Sequence, residues 1–257
     1  MLKIYLGYDP REHEAFEVAA FSIRRRATRP VLITPLYSMN PLYERGWHRR
    51  KDGQRIDDID GNPFSTEFSF ARFLVPACER YLGWALFLDC DFIMLDDVAA
   101  LDVYKDVSNA VAVVKHQHRP VETVKMNGQE QSRYHRKNWS SLILWNCGHP
   151  ANAMLTPDVV NSATGAYLHG FKWLEDGDIG TIQGRWNHLV GYDPPVSPDD
   201  ASALHFTQGG PWFEKYKDCP YADVWRREWK EMLDGLETQR NPESRPLSRQ
   251  GREPDNH

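Results

Sequence analysis

The sequence of 257 residues has few cysteines, no basic excess and no long apolar run. Its four cysteines, Cys78, Cys90, Cys147 and Cys219, are scattered without CxxC spacing. That excludes a zinc ribbon or a disulfide framework and predicts reduced thiols in a cytoplasmic protein. The formal net charge of −5 excludes the basic surface that nucleic-acid binders carry. No window approaches the ~20 apolar residues of a transmembrane helix. The opening stretch, Leu2 to Leu6, is strand-like and has no signal-peptide hydrophobic region. Neither G-x-G-x-x-G nor a Walker A sequence occurs, so a dinucleotide fold or a P-loop has no support. Internal repeats are absent.

What is present is enough chain for one α/β domain with a sizeable core. The most informative stretch runs from Trp84 to Asp97. Trp84 to Leu88 is a short apolar run, the pattern of a fully buried strand, and Asp89 and Asp91 follow where it ends. Side chains two apart in an extended chain share a face. Two carboxylates delivered together suit a hard divalent cation such as Mn²⁺ or Mg²⁺. The plainer reading is a solvated turn, since aspartate is common there.

Taken in order, Leu2 to Tyr8 reads as a first, central strand that breaks at Gly7, Asp9 and Pro10. Arg11 to Ala27 reads as a helix, with Ala15, Val18, Ala19 and Ile23 at helical spacing and Glu12 and Glu14 in its first turn. Val31 to Leu36 is a second strand, and strand, helix, strand opens a nucleotide-binding sheet. Ligands of such sheets sit beyond the carboxyl ends of the strands, which puts Gly7, Tyr8 and Asp9 on the same edge as Asp89 and Asp91. Ser38 to Phe64 reads as a long surface loop. Ser65 or Ser69 caps a helix whose apolar side is Phe70, Phe73, Leu74, Ala77 and Leu82. Arg72 on it is either a snorkelling surface residue or a guanidinium turned toward phosphate.

Asn109 to Lys115 is a further strand, and His116 and His118 after it have the spacing of a metal pair, the plainer reading being two surface imidazoles. Val121 to Asn138 is irregular, and Trp139 to Asn146 is another strand. Thr156 and Pro157 start a helix that Gly165 interrupts or ends. Leu174 to Gly180 gathers a second acidic cluster, and Leu204 to Trp212 is a short strand with a histidine and a glycine turn. Tyr221 to Leu236 is a final amphipathic helix. The expected organisation is one domain over residues 1–236 and a disordered tail over 237–257. Nine Trp, eleven Tyr and eleven Phe would serve sugar stacking as well as a core.

As an ordered set these pieces resemble a GT-A-type glycosyltransferase, and they are most similar to glycosyltransferase family 8. The set is Ile4 to Asp9, Arg72 to Pro76, Leu86 to Asp91, Trp139 to Asn146, Arg185 to Asn187 and His205 to Trp212. The resemblance implies a mostly parallel, mixed α/β sheet flanked by helices. It implies a metal, Mn²⁺ or Mg²⁺, on Asp89, Asp91 and His205, bridging the diphosphate of a nucleotide-sugar donor, most often a UDP-sugar. Gly7, Tyr8, Asp9, Arg11, Arg72, Asp89, Cys90, Asp91, Ser140, Gly210 and Trp212 are the implied donor-binding set. Tyr8 and Asp9 are placed against the nucleoside, and Arg72 near the diphosphate or sugar. Asp176 or Asp178 is the implied catalytic carboxylate, and transfer proceeds with retention to an acceptor that is a glycan, lipid or protein.

The sequence departs from the family at three places. Trp139, Ser140 and Ser141 stand where Asn is usual, Glu175 to Asp178 lacks the Asp-Gln pair, and Gly210 replaces a Lys. The competing readings are a degenerate nucleotide- or sugar-binding module and a haloacid-dehalogenase-type phosphatase.

Overall fold

A computed structural model describes residues 1–37, 56–116, 136 and 138–240. The apolar runs of the sequence pair as β1 (Leu2–Gly7), β2 (Val31–Leu36), β3 (Trp84–Leu88), β5 (Val111–Val114), β6 (Leu142–Asn146) and β7 (Ile179–Ile182). They form a six-stranded sheet in the order β2-β1-β3-β6-β5-β7. β1 runs parallel to β2 and β3, and β5 parallel to β7. β6 alone is antiparallel to its neighbours. The sheet is therefore mixed and mostly parallel, as the sequence predicts. β1, however, lies second from an edge, and β3 and β6 hold the centre; β6 is buried along its whole length. Local pattern reports burial, and burial on both faces does not distinguish one interior strand from another.

After β3 the chain turns through Asp89, Cys90 and Asp91 and leaves the main sheet. β4 (Phe92–Met94) pairs antiparallel with β9 (Ala203–His205), and β9 pairs parallel with β8 (His188–Leu189) in a small second sheet. Helix α1 (His13–Arg26) serves both sheets. Phe16, Ala19, Ala20 and Ile23 enter the main core, while Val18 joins Ile93, Leu204, Phe206 and Trp225 in a second one. The final helix α5 (Ala222–Arg240) is fastened to α1 by Glu228, which is buried and lies 2.6 Å from Arg26 Nη2. α5 continues past residue 236, and residues 241–257 lie outside the described chain. No helix among the described residues is long and apolar enough to cross a membrane.

Several expected elements differ. The long helix over Ser65 to Leu82 is instead a 3-10 turn, Ala71–Leu74, followed by the four-residue α2 (Val75–Cys78). Arg80 and Tyr81 adopt left-handed backbone at φ 55° and 57°, which ends helical progression, and Leu82 is exposed. Ser69 caps nothing helical; its Oγ accepts from Thr66 N. Trp139–Ser141 is a 3-10 turn, and the strand begins at Leu142. Gly165 starts a helix instead of ending one. Thr156 caps α3 (Pro157–Ser162), and Thr164 caps a separate α4 (Gly165–His169). His116 is half-buried, not a surface imidazole, and burial lowers its pKa to about 4. His118 and most of the 38–64 and 121–138 segments lie outside the described residues.

Candidate active site

The turn at the carboxyl end of β3 and the pairing of β4 with β9 assemble the centre of the molecule. Phe92 stands opposite His205 in the ladder, and the Phe206 amide donates to the Asp91 carbonyl at 2.9 Å. That register brings Asp89, Asp91 and His205 together, with one ligand atom from each within 4.8 Å of the others. The His205 ring stacks on Phe92 with centroids 4.3 Å apart. Nε2 of His205 lies 3.3 Å from Asp91 Oδ1.

A hydrogen-bond chain fixes which nitrogen of His205 faces the aspartates. Ser141 Oγ donates to the Asn138 carbonyl at 2.8 Å, so its lone pair receives Asn187 Nδ2 at 2.9 Å. The amide oxygen of Asn187 then points to His205 Nδ1 at 2.8 Å, and Nδ1 must be the donor. In the neutral ring this leaves the Nε2 lone pair toward Asp91. Metal-bound histidines are ordinarily oriented in this way by a partner on the far nitrogen.

Arg72 sits behind Asp89. It is 5% exposed, its guanidinium lies over Phe68 and Phe87, and Nη1 is 2.8 Å from both the Ser140 carbonyl and Asp89 Oδ1. Burial pushes the Asp89 carboxyl up to about 7; Arg72 opposes that shift and Asp91 adds to it. Asp91 Oδ1 is buried and accepts no hydrogen bond from the described residues. An acceptor in that state needs a cation or a proton. Two carboxylates and one properly turned imidazole fit a divalent ion of the Mn²⁺ or Mg²⁺ type.

The triad forms the floor of a cavity of about 720 Å³. Of the expected donor set, Arg11, Arg72, Asp89, Asp91 and Ser140 line it. Gly7, Tyr8, Asp9, Cys90, Gly210 and Trp212 do not. A Cβ on Gly7 would stand 2.6 Å from the Phe68 ring, and one on Gly210 2.0 Å from the Trp212 ring, so both glycines serve close packing. Tyr8 is edge-on to Phe16 and Tyr37. Asp9 is fully buried, and its two oxygens receive the Arg11 amide and guanidinium and the Glu67 amide. Cys90 is buried beneath the turn, and Trp212 packs on Phe206 and Trp225.

Asp176 and Asp178 also stand off the cavity wall. Asp178 accepts from the Glu175 amide in a capping box ahead of β7, and Asp176 is exposed and ion-paired with Arg136. The cavity holds residues that the sequence did not single out. Glu12 lines it, and burial with Asp91 nearby raises its pKa to about 7. His169 Nδ1 lies 2.8 Å from Ser140 Oγ, and Arg136 stacks on Trp139. Asn187 was visible only as part of a motif, with no sign that it orients a ligand.

No protein-family model matches the chain. It is 47% identical over 232 residues to Protein CDI of Arabidopsis thaliana, covering 89% of this chain and 86% of that protein. Solved structures that share its fold include three glycosyltransferases. WbbM bifunctional glycosyltransferase superposes with TM-score 0.61 and 14% identity over 91% of this chain and 51% of WbbM. The galactosyltransferase LgtC, in complex with donor and acceptor sugar analogs, gives 0.58 and 14% over 90% of this chain and 96% of LgtC. The glycosyltransferase GlyE of Streptococcus pneumoniae TIGR4 gives 0.58 and 16% over 93% and 65%. The chain thus spans about half the length of WbbM and nearly all of LgtC. These likenesses show the GT-A fold.

Proposed function

The chain belongs to the family of Protein CDI from Arabidopsis thaliana, and we propose that it is a metal-dependent glycosyltransferase, similar to family 8, that uses a nucleotide-sugar donor. The observation that carries this reading is the Asp89, Asp91 and His205 triad on the floor of the cavity, at the carboxyl end of a GT-A strand. Asp89, Asp91 and His205 would hold the cation, Mn²⁺ or Mg²⁺. When bound, such an ion neutralises the charge that gathers on a diphosphate leaving group.

The chain's own residues do the rest. Arg72 is fixed by two aromatic rings and the Ser140 carbonyl, so it holds Asp89 in place and adds a buried positive charge at the phosphate end. Arg11 and Arg136 line the same cavity and supply the cationic side chains that the missing Lys at Gly210 does not. Ser140 and His169 form a polar wall on the β6 side, suited to sugar hydroxyls. A UDP-sugar as donor and retention of configuration follow from the family 8 resemblance, as does Asp176 or Asp178 as the carboxylate near the reacting carbon. Four free thiols suit a reducing compartment, which supports a cytoplasmic setting for the proposed activity.

The position of Asp176 and Asp178 off the cavity favours one second reading, a binding module that has kept the metal centre and lost transfer. A panel of UDP- and GDP-sugars with Mn²⁺ separates the two. The transferase releases nucleoside diphosphate from at least one donor, and Asp91→Ala abolishes the release. Metal-dependent binding of the donors with no release from any of them would establish the binding module instead.

A further inference from the structure

Glu12 is a cavity carboxylate that the proposed reaction leaves without a task; Asp57 and Asp60, which also line the cavity, accept the Ile59 and Asn62 amides within their own loop. It closes the 3-10 turn Pro10–Glu12, which Asp9 caps just beyond the carboxyl end of β1. Its side chain lines the same cavity as Asp89 and Asp91. Among the described residues its carboxylate accepts one hydrogen bond, from the Cys90 thiol to Oε2 at 3.4 Å. No described Lys, Arg or His is paired with it. Cys90 lies between the two aspartates in the chain, so this contact ties Glu12 to the metal turn. Oε1 keeps its full acceptor capacity toward the cavity.

A carboxylate in that place repels phosphate oxygens and other acceptors, and it attracts hydroxyl and N–H donors. The phosphates of a nucleoside diphosphate offer acceptors only. The ribose offers two neighbouring hydroxyls one ester link from the phosphates; the transferred sugar hangs from the other phosphate, and Glu12 follows Tyr8 and Asp9, the residues expected against the nucleoside, in the turn beyond β1. The two oxygens of one carboxylate match two vicinal hydroxyls, and acidic side chains bind ribose in other nucleotide-binding sheets. Asp9, the acid expected against the nucleoside, already accepts from Arg11 and Glu67 with both oxygens. Resting on the nucleoside-diphosphate reading of the cavity, we propose that Glu12 accepts hydrogen bonds from the ribose 2′- and 3′-hydroxyls of the nucleotide.

The test is calorimetry on the full chain with Mn²⁺, using UDP, GDP, their 2′-deoxy forms and inorganic pyrophosphate, for the wild type and Glu12→Gln. Hydrogen bonds to a charged group are strong, so the wild type should bind the deoxy form of its better nucleotide about tenfold or more weaker. In Glu12→Gln that discrimination should shrink several-fold while pyrophosphate affinity stays within about threefold of wild type. Equal affinity of the wild type for ribo and deoxy forms would overturn the assignment, as would the same discrimination in both proteins. A parallel loss of pyrophosphate binding in Glu12→Gln would also overturn it, because it would make Glu12 a support of the metal turn. Failure of every nucleotide and of pyrophosphate to bind with Mn²⁺ would instead sink the underlying nucleoside-diphosphate reading.

Discussion

The Asn187 side-chain oxygen accepts from His205 Nδ1 at 2.8 Å and thereby turns Nε2 toward Asp91. Without that acceptor the imidazole is free to exchange tautomers and to rotate. Asn187→Ala should therefore weaken Mn²⁺ binding about 10- to 100-fold, while Asn187→Asp, which keeps the acceptor, should lose much less. Mn²⁺ titration of both variants checks this. Equal affinity of Asn187→Ala and the wild type would show that His205 is oriented by its stacking on Phe92 alone.

The pH dependence has a definite sign. Burial raises Asp89 from 3.8 to about 7, so within that window the folded chain holds a proton that the unfolded chain has released. Metal-free stability attributable to Asp89 is thus greatest below the unfolded value and declines as pH rises toward 7. A metal needs the charged carboxylate, so Mn²⁺ affinity should climb by up to about tenfold per unit as pH rises to 7. Unfolding curves at pH 5.5 and 8 with and without Mn²⁺, for the wild type and Asp89→Asn, measure both effects. The wild type should show the larger decline without metal and the larger rescue with it. A metal-free wild type that gains more than Asp89→Asn on going to pH 8 would contradict the assignment.

Arg72 and Asp89 form a buried pair, with side chains 6% and 16% exposed. Arg72→Met should cost about 3–5 kcal/mol in urea unfolding at pH 8, because it leaves the buried Asp89 charge without its partner. Adding Asp89→Asn should recover much of that loss. If the double variant is as unstable as the sum of the singles, the guanidinium's value lies in packing and not in holding the carboxylate.

Gly7 carries a packing constraint that reaches the cavity. A Cβ there would meet Phe68, whose ring supports the Arg72 guanidinium at 5.3 Å. Gly7→Ala should destabilise the chain by about 1–3 kcal/mol through overpacking and also weaken metal-dependent nucleotide binding. A stability loss with unchanged binding would show that Phe68 yields without disturbing Arg72.

What was readable in advance divides along physical lines. Trp84 to Asp91 declared itself because a fully apolar run followed by two acids one residue apart is both a strand signal and a ligand signal. His205 needed the resemblance as well, since nothing local marks one histidine among ten. Ser65 to Leu82 misled because Phe70, Phe73, Leu74 and Ala77 fit helical spacing, yet Pro76 and the left-handed Arg80 and Tyr81 confine the helix to four residues. Glu12 looked like an ordinary first-turn acid. Its importance comes from the β1–β3 pairing, which sets the end of one strand beside the turn after the other, and no window of sequence records that. Asn187 and His169 were hidden for the same reason. Their partners, His205 and Ser140, are brought to them only by the second sheet and by α4.

The most direct test of the account is a calorimetric titration of the purified chain with UDP, with and without Mn²⁺, beside Asp91→Ala, and with GDP in place of UDP if UDP shows no heat. The account predicts binding that requires Mn²⁺ and is lost in Asp91→Ala. Binding of equal strength without metal, or with Asp91 removed, would contradict a metal-bridged donor on Asp89, Asp91 and His205.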